Sequence, residues 1–141
     1  MRILLSLFTL SFPLWAHDFG VKAVEIKAVQ KGRQISVEFF VKQGYGVQVN
    51  AKNVLELYEV KGGGLSPAGP VPKSFLGERK AQWRNFTGEI AKEDTNYFSR
   101  LNPVGFSVEP NKSYALEGRF YICSFSNKFC TVQKVSQVVS R

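Results

Sequence analysis

A chain of 141 residues is long enough for one domain with a sizeable core, and little more. Its 19 Lys and Arg against 11 Asp and Glu give a net charge of +8. The cations stand singly (Lys22, Lys27, Lys31, Arg33, Lys42, Lys52) and form no stripe, which excludes nucleic acid as the expected partner and leaves solubility and attraction to acidic surfaces.

The N-terminus reads as an export leader. Arg2 supplies a positive start, residues 3–14 form an apolar run, and Ala16 is a small residue at a cleavage point before His17. Residues 1–16 are therefore assigned to a signal peptide and residues 17–141 to a single domain. The run is short for a bilayer span and no later segment is longer, so no transmembrane segment is expected in the mature chain. A periplasmic or secreted location follows as the expectation.

After the leader, residues 21–29 (VKAVEIKAV) predict a first strand, closed by a turn at Lys31-Gly32. Residues 33–42 (RQISVEFFVK) alternate, with Ile35, Val37, Phe39 and Val41 on one side and Gln34, Ser36 and Glu38 on the other. That is the period of a strand with one buried face. Gln43-Gly44-Tyr45-Gly46 predicts a turn, with Tyr45 a turn aromatic, and a further extended piece starts at Val47. Residues 53–60 (NVLELYEV) predict the next strand.

Residues 61–72 hold four glycines and three prolines, the one obvious long loop, followed by Phe75-Leu76-Gly77. Residues 83–91 and 97–108 predict further strands, the second interrupted at Asn102-Pro103. No helix signal of useful length follows the leader. Short strands with frequent turn signals predict an all-β fold, an immunoglobulin-like antiparallel β-sandwich.

Residues 118–132 (GRFYICSFSNKFCTV) contain both cysteines, Cys123 and Cys130. Strand-forming runs at 114–122 and 131–139 flank a polar, turn-prone insert, which predicts a C-terminal β-hairpin. Directly opposed residues at the neck of a hairpin have the Cβ separation that a disulfide requires. An even pair in an oxidising compartment is expected to be bonded.

Three segments together resemble the N-terminal periplasmic domain of the thiol:disulfide interchange reductase DsbD. They are Gly44-Tyr45-Gly46 with its following apolar strand, Phe75-Leu76-Gly77-Glu78, and Tyr121-Ile122-Cys123 with Phe129-Cys130. The resemblance runs from about Val21 to Val138. It implies an immunoglobulin-like fold with a redox-active pair at Cys123 and Cys130. It further implies a cap loop in which Phe75 shields that pair, and Cys130 as the sulfur that bonds to partners. Three features depart from the family pattern. The insert between the cysteines is one residue longer, Lys73-Ser74 stands where acidic residues precede the cap phenylalanine, and no membrane or thioredoxin-like segment supplies electrons. The implied partners are other exported thiol or disulfide proteins, thioredoxin-like or membrane electron carriers, met by a monomer.

Two functions stay open on these residues. One is thiol–disulfide exchange, in which a thiolate attacks a disulfide, forms a mixed disulfide and is resolved by a second thiol. Tyr121, Phe125 and Phe129 would raise the thiol pKa there, and Lys128 would oppose them if its ammonium reached a sulfur. The other is a non-enzymatic binding or structural sandwich whose disulfide staples the hairpin neck. No cofactor and no metal is expected. A copper site at His17 would need a second His or Met, and this chain has one His and only the initiator Met.

Overall fold

The computed structural model describes residues 22–61 and 71–141. The leader reading, His17 and most of the glycine- and proline-rich loop lie outside them. Among the described residues the architecture is an antiparallel β-sandwich of one three-stranded and one seven-stranded sheet.

The smaller sheet follows directly from alternation in the sequence. Strands β1 (Val24–Lys31) and β2 (Gln34–Val41) pair from Val24 opposite Val41 to Lys31 opposite Gln34. Gly32 takes the left-handed backbone of the tight turn at φ 59°. Val24, Ile26 and Ala28 on β1 and Ile35, Val37 and Phe39 on β2 all point into the core. Strand β8 (Val104–Ser107) completes this sheet along β2.

In the larger sheet, β9 (Tyr114–Ser124) is the spine. One of its edges carries β10 (Cys130–Val138) over its whole length. The other edge is divided. Its first part pairs with β4 (Val54–Val60), and its last part with β3 (Tyr45–Gln48). Outside β4 lies β5 (Leu76–Trp83); outside β3 lie β7 (Tyr97–Leu101) and then β6 (Gly88–Ile90).

Where β3 gives way to β4, the buried Asn53 side chain fills the ladder. Its Nδ2 donates to the Gln48 carbonyl at 2.8 Å, and its Oδ1 accepts the Tyr121 amide at 2.9 Å. A buried amide satisfied on both ends fixes the register of both strands against β9.

Leu55, Leu57, Phe98, Leu116, Phe120 and Ile122 supply the larger sheet's half of the core. Phe120 meets Phe39 and Phe86 edge to face at centroid distances of 5.8 and 5.5 Å. The sheets are also tied at their border. Gln133 on β10 bonds both backbone groups of Val24, at 2.9 and 2.7 Å, and Ser140 bonds Ala28 and Gln30 on β1.

The structure revises two local expectations, adds a strand that the sequence does not signal, and gives the expected break after β7 its meaning. Strand β3 begins at Tyr45, so Tyr45-Gly46 is strand and only Gly44, at φ 87°, supplies the left-handed turn. Residues 83–91 are not one strand: β5 ends at Trp83 and β6 starts at Gly88. Strand β5 itself, LGERKAQW, is an edge strand exposed along much of its length, so it shows little of the apolar period that marks a buried strand. Finally, the break at Asn102-Pro103 is a crossing between sheets, since β7 pairs with β3 and β8 with β2.

Candidate functional site

Cys123 and Cys130 are directly opposed on β9 and β10 and form a disulfide, with α-carbons 4.0 Å apart. The next rung, Ser124 to Phe129, is hydrogen-bonded. The cysteines therefore occupy a non-hydrogen-bonded rung, where opposed α-carbons approach most closely. Both side chains lie on the face of the larger sheet that points away from the core, since Phe120 and Ile122 take the core side.

The two sulfurs stand in different surroundings. Cys123 is only 3 % exposed, because β9 has neighbours on both edges there: Gly46 of β3 on one side and Cys130 on the other. Cys130 begins an edge strand and is exposed. The Gln48 side-chain amide donates to the Cys123 sulfur at 3.3 Å. Sequence reading missed Gln48; its one signal is position, as a polar residue two places along β3 from Gly46 and so on the same face. Lys128 takes the left-handed turn of the loop at φ 55°. The polar contact to sulfur comes from Gln48.

The hairpin loop is held to the rest of the sheet. The Phe125 amide donates to the Gly44 carbonyl at 2.9 Å, and the Phe125 ring packs edge to face on Tyr97 at 5.6 Å. Both rings press on Gly46. A Cβ there would sit 2.6 Å from the Tyr97 Cβ and 2.7 Å from the Phe125 ring, so no larger residue fits. Asn127 closes the loop by accepting the Phe129 amide at 3.0 Å.

Phe75 is not brought to this site. It ends a single 3-10 turn, Lys73–Phe75, and its carbonyl accepts the Lys61 amide just past β4. That end of β4 lies against Tyr114, nine residue steps along β9 from Cys123. At about 3.3 Å per residue the separation is about 30 Å along the strand. The aromatics on the disulfide's face of the sheet are Tyr121, two residues from Cys123 on β9, and Phe125, whose ring packs over Gly46 opposite Cys123. Tyr45, expected as a turn aromatic, lies on β3 with the Lys42 ammonium 5.7 Å from its ring centre.

From the disulfide, the outward face continues as paired rungs: Tyr121 opposite Val132, then Arg119 opposite Lys134, then Glu117 opposite Ser136. Tyr121 and Val132 are among the most exposed large apolar side chains, at 36 % and 42 %. Beyond them lies a cleft of about 390 Å³ lined by Val54, Glu56, Lys73, Glu117, Arg119 and Lys134. Val71 closes its far side, buried with its amide on the Ser136 hydroxyl at 3.1 Å. Among the described residues, no group of His, Cys, Asp and Glu is arranged to hold a metal, and no helix is long and apolar enough to cross a membrane.

No family model matches the chain, and a search of the curated proteins returns no match.

Proposed function

We propose that this protein is an exported thiol–disulfide exchange module that passes electrons to or from other exported thiol proteins through Cys123 and Cys130. One observation carries the reading: the disulfide is divided between an exposed sulfur and a buried, hydrogen-bonded one. Displacement at a disulfide needs an approachable sulfur to attack and a leaving sulfur that tolerates negative charge. Cys130 offers the first. Cys123 is the leaving sulfur, and the Gln48 amide is placed to hydrogen-bond the charge that develops on it, against the cost of its burial.

Reduction of this chain then runs as follows. A partner thiolate attacks the Cys130 Sγ. The partner–Cys130 bond forms as the Cys123–Cys130 bond breaks, and the electron pair leaves on the Cys123 Sγ. A second partner thiolate attacks the partner sulfur, releasing Cys130 as thiolate. Two electrons have moved to this chain, and the partner holds the disulfide. The same steps reversed let the reduced chain reduce another protein. The order matches what the DsbD-like resemblance implies for Cys130, without a cap from Phe75.

The alternative is a permanent staple on a binding or structural sandwich, and trapping separates the two. Cys123→Ser leaves Cys130 without its resolving thiol, so mixed disulfides with exported proteins are expected on Cys130. Cys130→Ser is expected to trap far less. Equal absence of adducts from both variants, with both folded, would make the bond a staple.

A further inference from the structure

The ladder that pairs the cysteines also determines which backbone groups of β10 point outward. Because the Ser124 amide donates to the Phe129 carbonyl, the odd-numbered residues of β10 bond to β9 and the even-numbered ones turn away from it. Cys130, Val132 and Lys134 thus direct their amides and carbonyls to the open edge. Among the described residues these groups have no backbone partner. Strand β1 bonds to this edge by its backbone only at Ser140, and nearer the cysteines the contact is made by the Gln133 side chain to Val24. An unpaired edge of this kind is a template for another strand.

We infer that the partner presents an extended segment that adds to this edge of β10, with its reactive sulfur opposite Cys130, an apolar side chain two residues away and an acidic one four residues away. The inference rests on the exchange reading of Cys123 and Cys130. Three observations support it. First, an added strand places its sulfur on the far side of Cys130 from Cys123. Three cysteines abreast on three strands give the collinear approach that displacement at sulfur requires, at cross-strand distances a disulfide spans. The partner–Cys130 bond forms as the Cys130–Cys123 bond breaks, and the electron pair leaves on Cys123.

Second, side chains repeat every two residues on one face of a strand, so partner residues two and four positions on lie beside Val132 and Lys134. Val132 and Tyr121 form an exposed apolar rung. Arg119 and Lys134 form the next, about 13 Å from the cysteines at strand spacing. Third, the charge at that end of the face is positive. Arg119, Lys134 and Lys73 make no ion pair among the described residues. Of the two carboxylates lining the same cleft, Glu56 is taken up by Arg79, Gln82 and Tyr58. That leaves three cations facing Glu117.

The test uses peptides that differ in one residue and cover both strand directions, each carrying thionitrobenzoate on its cysteine. Cys-Ser-Val-Ser-Glu and Cys-Ser-Val-Ser-Lys serve for parallel addition, and Glu-Ser-Val-Ser-Cys and Lys-Ser-Val-Ser-Cys for antiparallel addition. The Cys130 thiolate of the Cys123→Ser protein attacks the peptide sulfur and releases coloured thionitrobenzoate, so the rate is read directly. At low salt, in the direction that docks, the Glu peptide is expected to react about tenfold faster than the Lys peptide. Lys134→Glu with Arg119→Glu is expected to reverse that order. Val132→Pro removes one outward amide and no bond to β9, and is expected to slow the Glu peptide several-fold with Tm unchanged.

Hydroxyethyl disulfide, small and uncharged, reports the exchange chemistry alone and is expected to react equally with every variant. Equal Glu and Lys rates in both directions alongside a reactive small disulfide would overturn the docking mode and leave exchange standing. Failure of the small disulfide as well would remove both. A large loss of Tm in Val132→Pro would also overturn the docking mode, because the edge would then already be used by the protein itself. Should Cys123→Ser not fold, the oxidised wild-type protein is treated with the peptides as free thiols, and adducts are counted after acid quenching. The same preference for Glu is expected, and its absence would count against the docking mode equally.

Discussion

Strands β9 and β10 share one ladder and one disulfide, yet they contribute differently to the molecule. Strand β9 is buried over most of its length, because strands flank both its edges and Leu116, Phe120 and Ile122 fill the core. Strand β10 has β9 on one side and is exposed at Cys130, Thr131, Val132 and Lys134. The pairing rule that makes the two cysteines equivalent in the ladder therefore makes them unequal in reactivity. Burial follows from how many neighbours a strand has, and the chemistry of each sulfur follows from its burial.

The largest effect is expected on β9. Phe120→Ala empties a fully buried site between Phe39 and Phe86, at a cost of about 3–5 kcal/mol in denaturant unfolding. Val132→Ala on β10 removes an exposed side chain and should cost under about 0.5 kcal/mol. Comparable losses at the two positions would break the contrast.

Removing the link between the strands comes next. Cys123→Ala with Cys130→Ala opens a loop of sequence separation 7, and the chain-entropy relation gives a loss of about 2–3 kcal/mol. That loss is expected whether or not the pair is redox-active, so stability alone does not distinguish staple from exchanger.

A smaller change sharpens the difference between the sulfurs. Gln48→Ala removes the hydrogen bond to the Cys123 sulfur. A neutral hydrogen bond is worth about 1 kcal/mol, or about fivefold in rate. Attack by a small thiol on the oxidised protein should slow by about that factor, and by stopped-flow thiol assay an unchanged rate would deny Cys123 its role as leaving sulfur.

The last effects lie at the other end of β9, and they are visible as titrations. Tyr58 opposes Ala115 and donates its hydroxyl to Glu56. That hydrogen bond, with burial and the Glu56 charge, raises the phenol from 10.0 to about 12. The protonated phenol is favoured by folding, so its contribution is full below about pH 10 and is lost as pH rises through about 12. Ultraviolet titration should show one late phenol that Tyr58→Phe abolishes.

Nearby, hydrogen bonds and charge from Lys80 and Lys112 lower the Glu59 carboxyl, and Glu59 with Glu78 or Glu109 raises the two amines. The carboxylate contribution is present above the ordinary carboxylate range and fades as pH falls through the lowered value. All three groups are solvent-exposed, so the effect on Tm should be small and should weaken with salt.

The sandwich and the cysteine hairpin were legible in the sequence, because alternation in residues 33–42 and two β-rich runs around a polar insert are local signals. Strand β5 was not, since an exposed edge strand has no apolar period to betray it. The site was legible only where it depends on neighbouring residues of one hairpin. Gln48 reaches Cys123 from another strand, and no local pattern marks that pairing. Phe75 was linked to the cysteines by its order in the chain, but the register of β4 on β9 carries it to the opposite end. Gly44-Tyr45-Gly46 held a partial clue. A glycine inside a strand marks a close approach, and here it admits the Tyr97 and Phe125 rings beside the disulfide.

The most direct measurement is the reduction potential of the Cys123–Cys130 pair against a glutathione or dithiothreitol redox buffer. An exchanging pair should give a value above about −300 mV, in the range where thioredoxin-like partners operate. A value well below about −300 mV would mark a structural bond and contradict the exchange role.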